Sequence, residues 1–166
     1  MEIILGKFSL TKVFKASKEE VFDAFSSAQA MEKWWGPVEA PIDVISFDFR
    51  PGGIFHYRMN GEVLTYGVFK FLEINRPHSL IWINSFANEE AEIIKPPFDG
   101  LDIPKEILNR VDLTEKEGYT TLSLSSEPVN ASPEEIKTFD SIRSSMETGF
   151  GGTFNQLDKF LIDSNK

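Results

Sequence analysis

The sequence predicts an α+β fold: a curved antiparallel sheet of about six or seven strands, two short helices, and one long C-terminal helix across the concave face. Three observations carry this expectation. From Ser132 to Leu161, the residues Ile136, Phe139, Ile142, Met146, Phe150, Phe154, Leu157 and Leu161 recur at helical spacing. Ahead of that stripe, short alternating runs follow one another with hairpin-type turns between them. Two capping boxes, Ser17 to Glu20 and Ser132 to Glu135, mark helix starts before and after the strands.

Each element has a local reason. Phe8 to Phe14 alternates, with Phe8, Leu10 and Phe14 on one face. After the first capping box a helix buries Val21, Phe22 and Phe25. A second short helix carries Met31, Trp34 and Trp35 at i, i+3 and i+4, and Gly36-Pro37 stops it. Ile42 to Phe49 is a strand. Arg50-Pro51-Gly52-Gly53 turns the chain into a strand where Phe55, Tyr57 and Met59 alternate against His56 and Arg58. Asn60-Gly61 turns it again. Tyr66 to Ile74 pairs with Leu80 to Phe86 across Asn75-Arg76-Pro77-His78, and Ile107 to Thr114 pairs with Tyr119 to Ser126. Ser132-Pro133-Glu134-Glu135 then opens the long helix, with proline in its first turn. The short connections imply antiparallel pairing, and a sheet of that length closed by one helix has a helix-grip shape. Between Phe86 and Lys105 runs a long connection containing Pro96, Pro97 and Pro104, readable as a lid or as a surface insertion.

Several segments carry a family resemblance. These are Lys33-Trp34-Trp35-Gly36-Pro37, Asp48-Phe49-Arg50-Pro51-Gly52-Gly53, Glu73-Ile74-Asn75-Arg76-Pro77 with Leu80-Ile81-Trp82, Ile107-Leu108-Asn109, and the run from Met146 to Leu157. In them the chain resembles the START-like (SRPBCC) superfamily, the fold of birch-pollen allergens and polyketide cyclases. More narrowly it resembles the family named after the activator of the Hsp-90 chaperone ATPase. The likeness spans nearly the whole chain and implies a single START-like domain over residues 1–166. Ser17 stands where the family often has proline, and Lys12 where arginine is common. The resemblance implies a fold more firmly than a function, since function resides in sites rather than folds.

Bulk composition removes some functions. At 166 residues the chain is long enough for a proper core. A net charge of −9 opposes nucleic acid and anionic membranes as partners. Without cysteine there is no disulfide, thiol nucleophile or thiolate metal site. No apolar run approaches the ~20 residues that span a bilayer. Met1 to Phe8 lacks a basic region followed by an apolar stretch, so a cytoplasmic protein is expected.

Reactive chemistry is sparse. The two histidines, His56 on the expected outer strand face and His78 in a turn, match no metal motif, and both are expected at the surface. Asp48 with Arg50, and Arg110 with Asp112, are expected to pair with each other. Asn84 and Asn109 share strand faces with Trp82 and Val111 and point inward, where each needs a hydrogen-bond partner from the protein or from a ligand. Gly149-Phe150-Gly151-Gly152 follows no strand, so close packing or a kink is expected there rather than phosphate binding.

The aromatic set is the remaining signal. Trp34, Trp35, Phe55, Tyr57, Trp82, Phe139, Met146 and Phe150, with Asn84 as a polar anchor, would line a cavity between helix and sheet. Plain core packing is the alternative for each of them. The expected function is binding of a small apolar or aromatic molecule there. The second expectation is a protein-interaction module or Hsp-90-type chaperone co-factor. An enzyme of the cyclase or hydrolase kind comes third, since no catalytic residue can be assigned. No metal and no cofactor are expected, and the sequence does not set the oligomeric state.

Overall fold

In the computed structural model, residues 5–164 are described. Along the chain run β1 (Phe8–Phe14), α1 (Lys18–Asp23), α2 (Ala28–Trp34), β2 (Ile42–Phe47), β3 (Ile54–Asn60), β4 (Leu64–Asn75), β5 (Ser79–Ala87), β6 (Glu106–Lys116), β7 (Tyr119–Val129), α3 (Pro133–Ser141) and α4 (Arg143–Ser164). The seven strands form one antiparallel sheet in the order β1-β7-β6-β5-β4-β3-β2. Consecutive strands from β2 to β7 are neighbours, joined by short turns except for β5 and β6, which the long connection links. β1 closes on β7, so the first strand reaches the last one across the helices. Register shifts between Val44 and Ser46 and between Phe71 and Glu73 add curvature.

Both capping boxes form. Ser17 Oγ accepts from Glu20 N at 3.1 Å and Ser132 Oγ from Glu135 N at 3.1 Å, and each glutamate reaches back to the cap backbone. The inward strand residues and α1, α2 and α4 enclose an aromatic core. Phe69 stacks on Trp82 with centroids 5.0 Å apart, and Trp35 meets Phe69 edge-on at 5.0 Å.

The expected single long helix is two helices in series. Ile142 leaves helical geometry at φ −104° and ψ 20°. The cause is local. The Thr138 carbonyl accepts both the Ser141 hydroxyl at 2.7 Å and the Ile142 N–H at 3.2 Å. The Ile142 N–H is shared with Phe139 O, which tightens the turn. The break is docked on the N-terminal segment: Gly6 N donates to Asp140 Oδ1 at 2.8 Å, and Arg143 bonds Asp140 and the Lys7 carbonyl.

The glycines do not make this break, which corrects the expectation of a kink or close packing at them. α4 runs unbroken through Gly149, Gly151 and Gly152. A Cβ on Gly149 or Gly151 would meet nothing within 4 Å, and one on Gly152 only Val38 Cγ2 at 3.6 Å. Trp35 also departs from expectation. It caps α2 in an extended conformation, and Gly36 follows at φ 97°, a left-handed value that suits glycine.

The Phe86–Lys105 connection is partly ordered by hydrogen bonds. Asn88 organises its first turn, accepting from Glu90 N at 3.0 Å and Glu92 N at 2.9 Å. Ile94 N returns to Phe86 O at 3.0 Å. This turn covers His56, whose Nε2 lies 3.0 Å from Asn88 O. His56 is therefore 3% exposed and not a surface histidine as expected, while His78 is exposed. Asp48 with Arg50 and Arg110 with Asp112 pair as expected, each at 2.8 Å and in solvent.

Candidate functional site: a cavity between the last helix and the sheet

The site begins with Tyr57 in β3. Opposite it in β4 stands Gly67, and a Cβ there would lie 2.3 Å from Tyr57 Cζ. Only glycine lets the ring lie flat over the neighbouring strand. Phe55 packs against the same ring with centroids 4.7 Å apart. The hydroxyl thereby reaches β5, where Asn84 Nδ2 donates to it at 3.2 Å. The same amide nitrogen donates to Val68 O at 3.3 Å, which sets the amide's orientation. The Trp35 indole is the other polar neighbour of the Tyr57 oxygen. Burial pushes the Tyr57 pKa up, and the Trp35 and Asn84 side chains oppose only part of that rise. The phenol is thus neutral at neutral pH.

This polar group lies at the inner wall of a cavity of about 290 Å3. From the sheet, Met59, Phe86 and Ile107 add apolar wall. Trp35, Gly36 and Pro37 close one side where α2 ends. Met146, Gly149, Phe150 and Thr153 of α4 cover it. Pro96, Ile103, Pro104 and Lys105 bring the long connection to its edge, as a lid would. Two bonds moor α4 here: Thr153 Oγ1 donates to Gly36 O at 3.0 Å, and Gln156 Nε2 to the same carbonyl at 2.9 Å.

Of the nine residues expected in the wall, Trp35, Tyr57, Asn84, Met146 and Phe150 are in it. Trp34, Phe55, Trp82 and Phe139 are not, and each is at most 1% exposed. Trp34 turns its indole N–H to Ala24 O at 2.8 Å, beneath α1. Trp82 stacks on Phe69 in the core, its N–H without a partner among the described residues. Phe139 belongs to α3, which packs on β7 at a distance from the wall. Phe55 supports the Tyr57 ring rather than facing the space. The second inward amide is structural: Asn109 Oδ1 accepts from the Ser126 hydroxyl.

Alternation already placed Met59 beside Tyr57, and Ile107 pairs directly with Asn84, so both were readable from strand register. Nothing in the sequence pattern marked Gly67, whereas Pro96, Ile103, Pro104 and Lys105 belong to the connection that the sequence left open as a lid or a surface insertion. Ser85 also borders the cavity, with a buried hydroxyl that has no partner among the described residues.

The titratable side chains of the wall are Tyr57 and Lys105, the latter exposed at the edge. Among the described residues, no group of three or more His, Asp or Glu is placed to hold a metal. No helix there is long and apolar enough to cross a membrane.

Solved structures share this architecture. A protein from Arthrobacter aurescens is 25% identical with a TM-score of 0.79, covering 96% of this chain and 87% of that one. A Mycobacterium smegmatis protein is 22% identical with a TM-score of 0.75, covering 96% and 93%. The AHSA1 protein of Silicibacter pomeroyi is 17% identical with a TM-score of 0.70, covering 95% and 99%. No curated protein matches the sequence. The sequence profile described as "Activator of Hsp90 ATPase homolog 1-like protein" matches residues 15–161, from the end of β1 to the last buried leucine of α4. A match of that extent, on a seven-stranded sheet closed by a C-terminal helix, means that the chain belongs to this family.

Proposed function

We propose that this chain binds a small apolar or aromatic molecule in the cavity between α4 and the sheet. The observation that carries the reading is an apolar cavity of about 290 Å3 with one polar cluster, Tyr57, Asn84 and Trp35, at its inner wall. Binding sites for small molecules share that pattern of apolar lining and few placed polar groups. A ligand burying ~200 Å2 of apolar surface gains about 5 kcal/mol before association costs. Those costs are comparable, so shape and the polar cluster decide affinity. The wall holds no carboxylate and no histidine, which places acid–base catalysis behind binding.

The test is a thermal-shift screen of aromatic and lipid-like compounds against the wild type and Gly149→Leu. Gly149 borders the cavity, and a Cβ there meets open space. A leucine at 149 therefore adds bulk at the edge of the cavity without a backbone clash. Compounds that stabilise the wild type and leave the folded variant unmoved support the reading. A screen without hits, or hits equal on both proteins, refutes it.

The family description supports a second reading, a chaperone co-factor acting through an exposed face. Val63 and Leu64 stand 74% and 56% exposed at the β3–β4 turn and are where such contact would be sought.

A further inference from the structure

We infer that the cavity selects apolar molecules bearing one neutral hydrogen-bond acceptor, such as a ketone or ester oxygen, seated on the Tyr57 hydroxyl. This rests on the binding reading above and narrows its ligand class.

The argument is a count of valences at one oxygen. A phenol oxygen has two lone pairs and one proton. Asn84 Nδ2 donates to that oxygen at 3.2 Å. The oxygen therefore already accepts from the protein. What remains is the proton, and no acceptor among the described residues takes it.

Asn84 cannot be that acceptor. Its amide nitrogen must face Val68 O, 3.3 Å away, so the group presents N–H and not C=O to Tyr57. Nor can the ring turn aside, because Gly67 beneath it and Phe55 beside it define its seat. Tyr57 is 3% exposed, so a proton with no partner there is costly, and an acceptor in the cavity relieves that cost. The donated bond polarises the hydroxyl and makes it a stronger donor. Burial raises its pKa, so the proton is present at neutral pH.

The same geometry sets the charge of the acceptor. A carboxylate at Tyr57 would be desolvated among Met59, Phe86, Ile107 and Phe150 with no cation beside it, because Lys105 stands at the outer edge. A carbonyl oxygen accepts without that penalty.

The experiment compares 2-acetylnaphthalene with 2-ethylnaphthalene, which differ at one oxygen, by NMR titration of the wild type and Tyr57→Phe. The expected result is that the wild type prefers the ketone by about tenfold and the variant does not. The infrared C=O stretch of the bound ketone should fall below its value in apolar solvent for the wild type, and recover in Tyr57→Phe. A melting curve establishes that the variant is folded. Should both compounds bind the wild type equally, with an unshifted C=O stretch, this inference falls while the cavity reading stands. If neither compound binds, both fall.

Discussion

Tyr57 lies over Gly67: a single methyl group on the glycine would fall 2.3 Å from the ring carbon that carries the hydroxyl. The two residues face each other across β3 and β4, and their fit aims the hydroxyl at Asn84 and the cavity. Site geometry is therefore set by the absence of a side chain as much as by the presence of one.

Gly67→Ala should cost about 1–3 kcal/mol, the range for overpacking a filled site. In a Tyr57→Ala background the same change should cost far less, because the ring that it strikes is gone. Urea unfolding of the four proteins of this cycle measures the coupling. Equal costs in both backgrounds would mean that the ring does not occupy this seat.

Gly151→Ala should stabilise the protein by about 0.5–1 kcal/mol. Gly151 is mid-helix, and a Cβ there meets nothing within 4 Å. Gly53→Ala is the contrast: its Cβ would lie 2.1 Å from Asp48 O, so it should destabilise. Thermal melts that fail to rank the two variants on opposite sides of the wild type would contradict the packing described here.

Alkaline pH should weaken the fold through Tyr57. Its pKa is raised above the ordinary 10.0 by burial, and the unfolded chain has no such burial. As pH rises past the ordinary value, the unfolded state releases the proton and the folded state keeps it. The stabilisation is therefore complete below about pH 10 and is lost above it. Denaturant titrations from about pH 9 to 11 should show a steeper fall for the wild type than for Tyr57→Phe, by up to about 1 kcal/mol per pH unit. Parallel curves would place Tyr57 in solvent.

Much of this architecture was legible because periodicity and capping are local. The Ser17 and Ser132 boxes, the alternation of Phe55, Tyr57 and Met59, and the turn residues each report on their own few neighbours, and the elements formed where they pointed. The cavity wall was less legible, since burial and lining look alike in a sequence. Trp34 and Trp35 are adjacent and identical in type, yet one bonds Ala24 beneath α1 and the other faces the cavity. What separates them is the end of α2 between them. The stripe of the last helix hid a similar difference: Phe154, Leu157 and Leu161 are buried, whereas Met146 and Phe150 are only half-buried where the cavity interrupts their packing. The break at Ile142 was invisible because it arises from competition at one carbonyl, and the covering of His56 because it depends on a loop more than thirty residues away.

The three tryptophans offer the most direct test of binding in the cavity. Each indole N–H gives its own NMR resonance, and their surroundings differ: Trp35 lines the cavity, Trp34 is bonded to Ala24 O, and Trp82 is stacked on Phe69. Titration with 2-acetylnaphthalene should move the Trp35 resonance saturably and leave Trp34 and Trp82 nearly still. A Trp35 resonance unmoved at ligand saturation, or three resonances moving alike, would contradict the account.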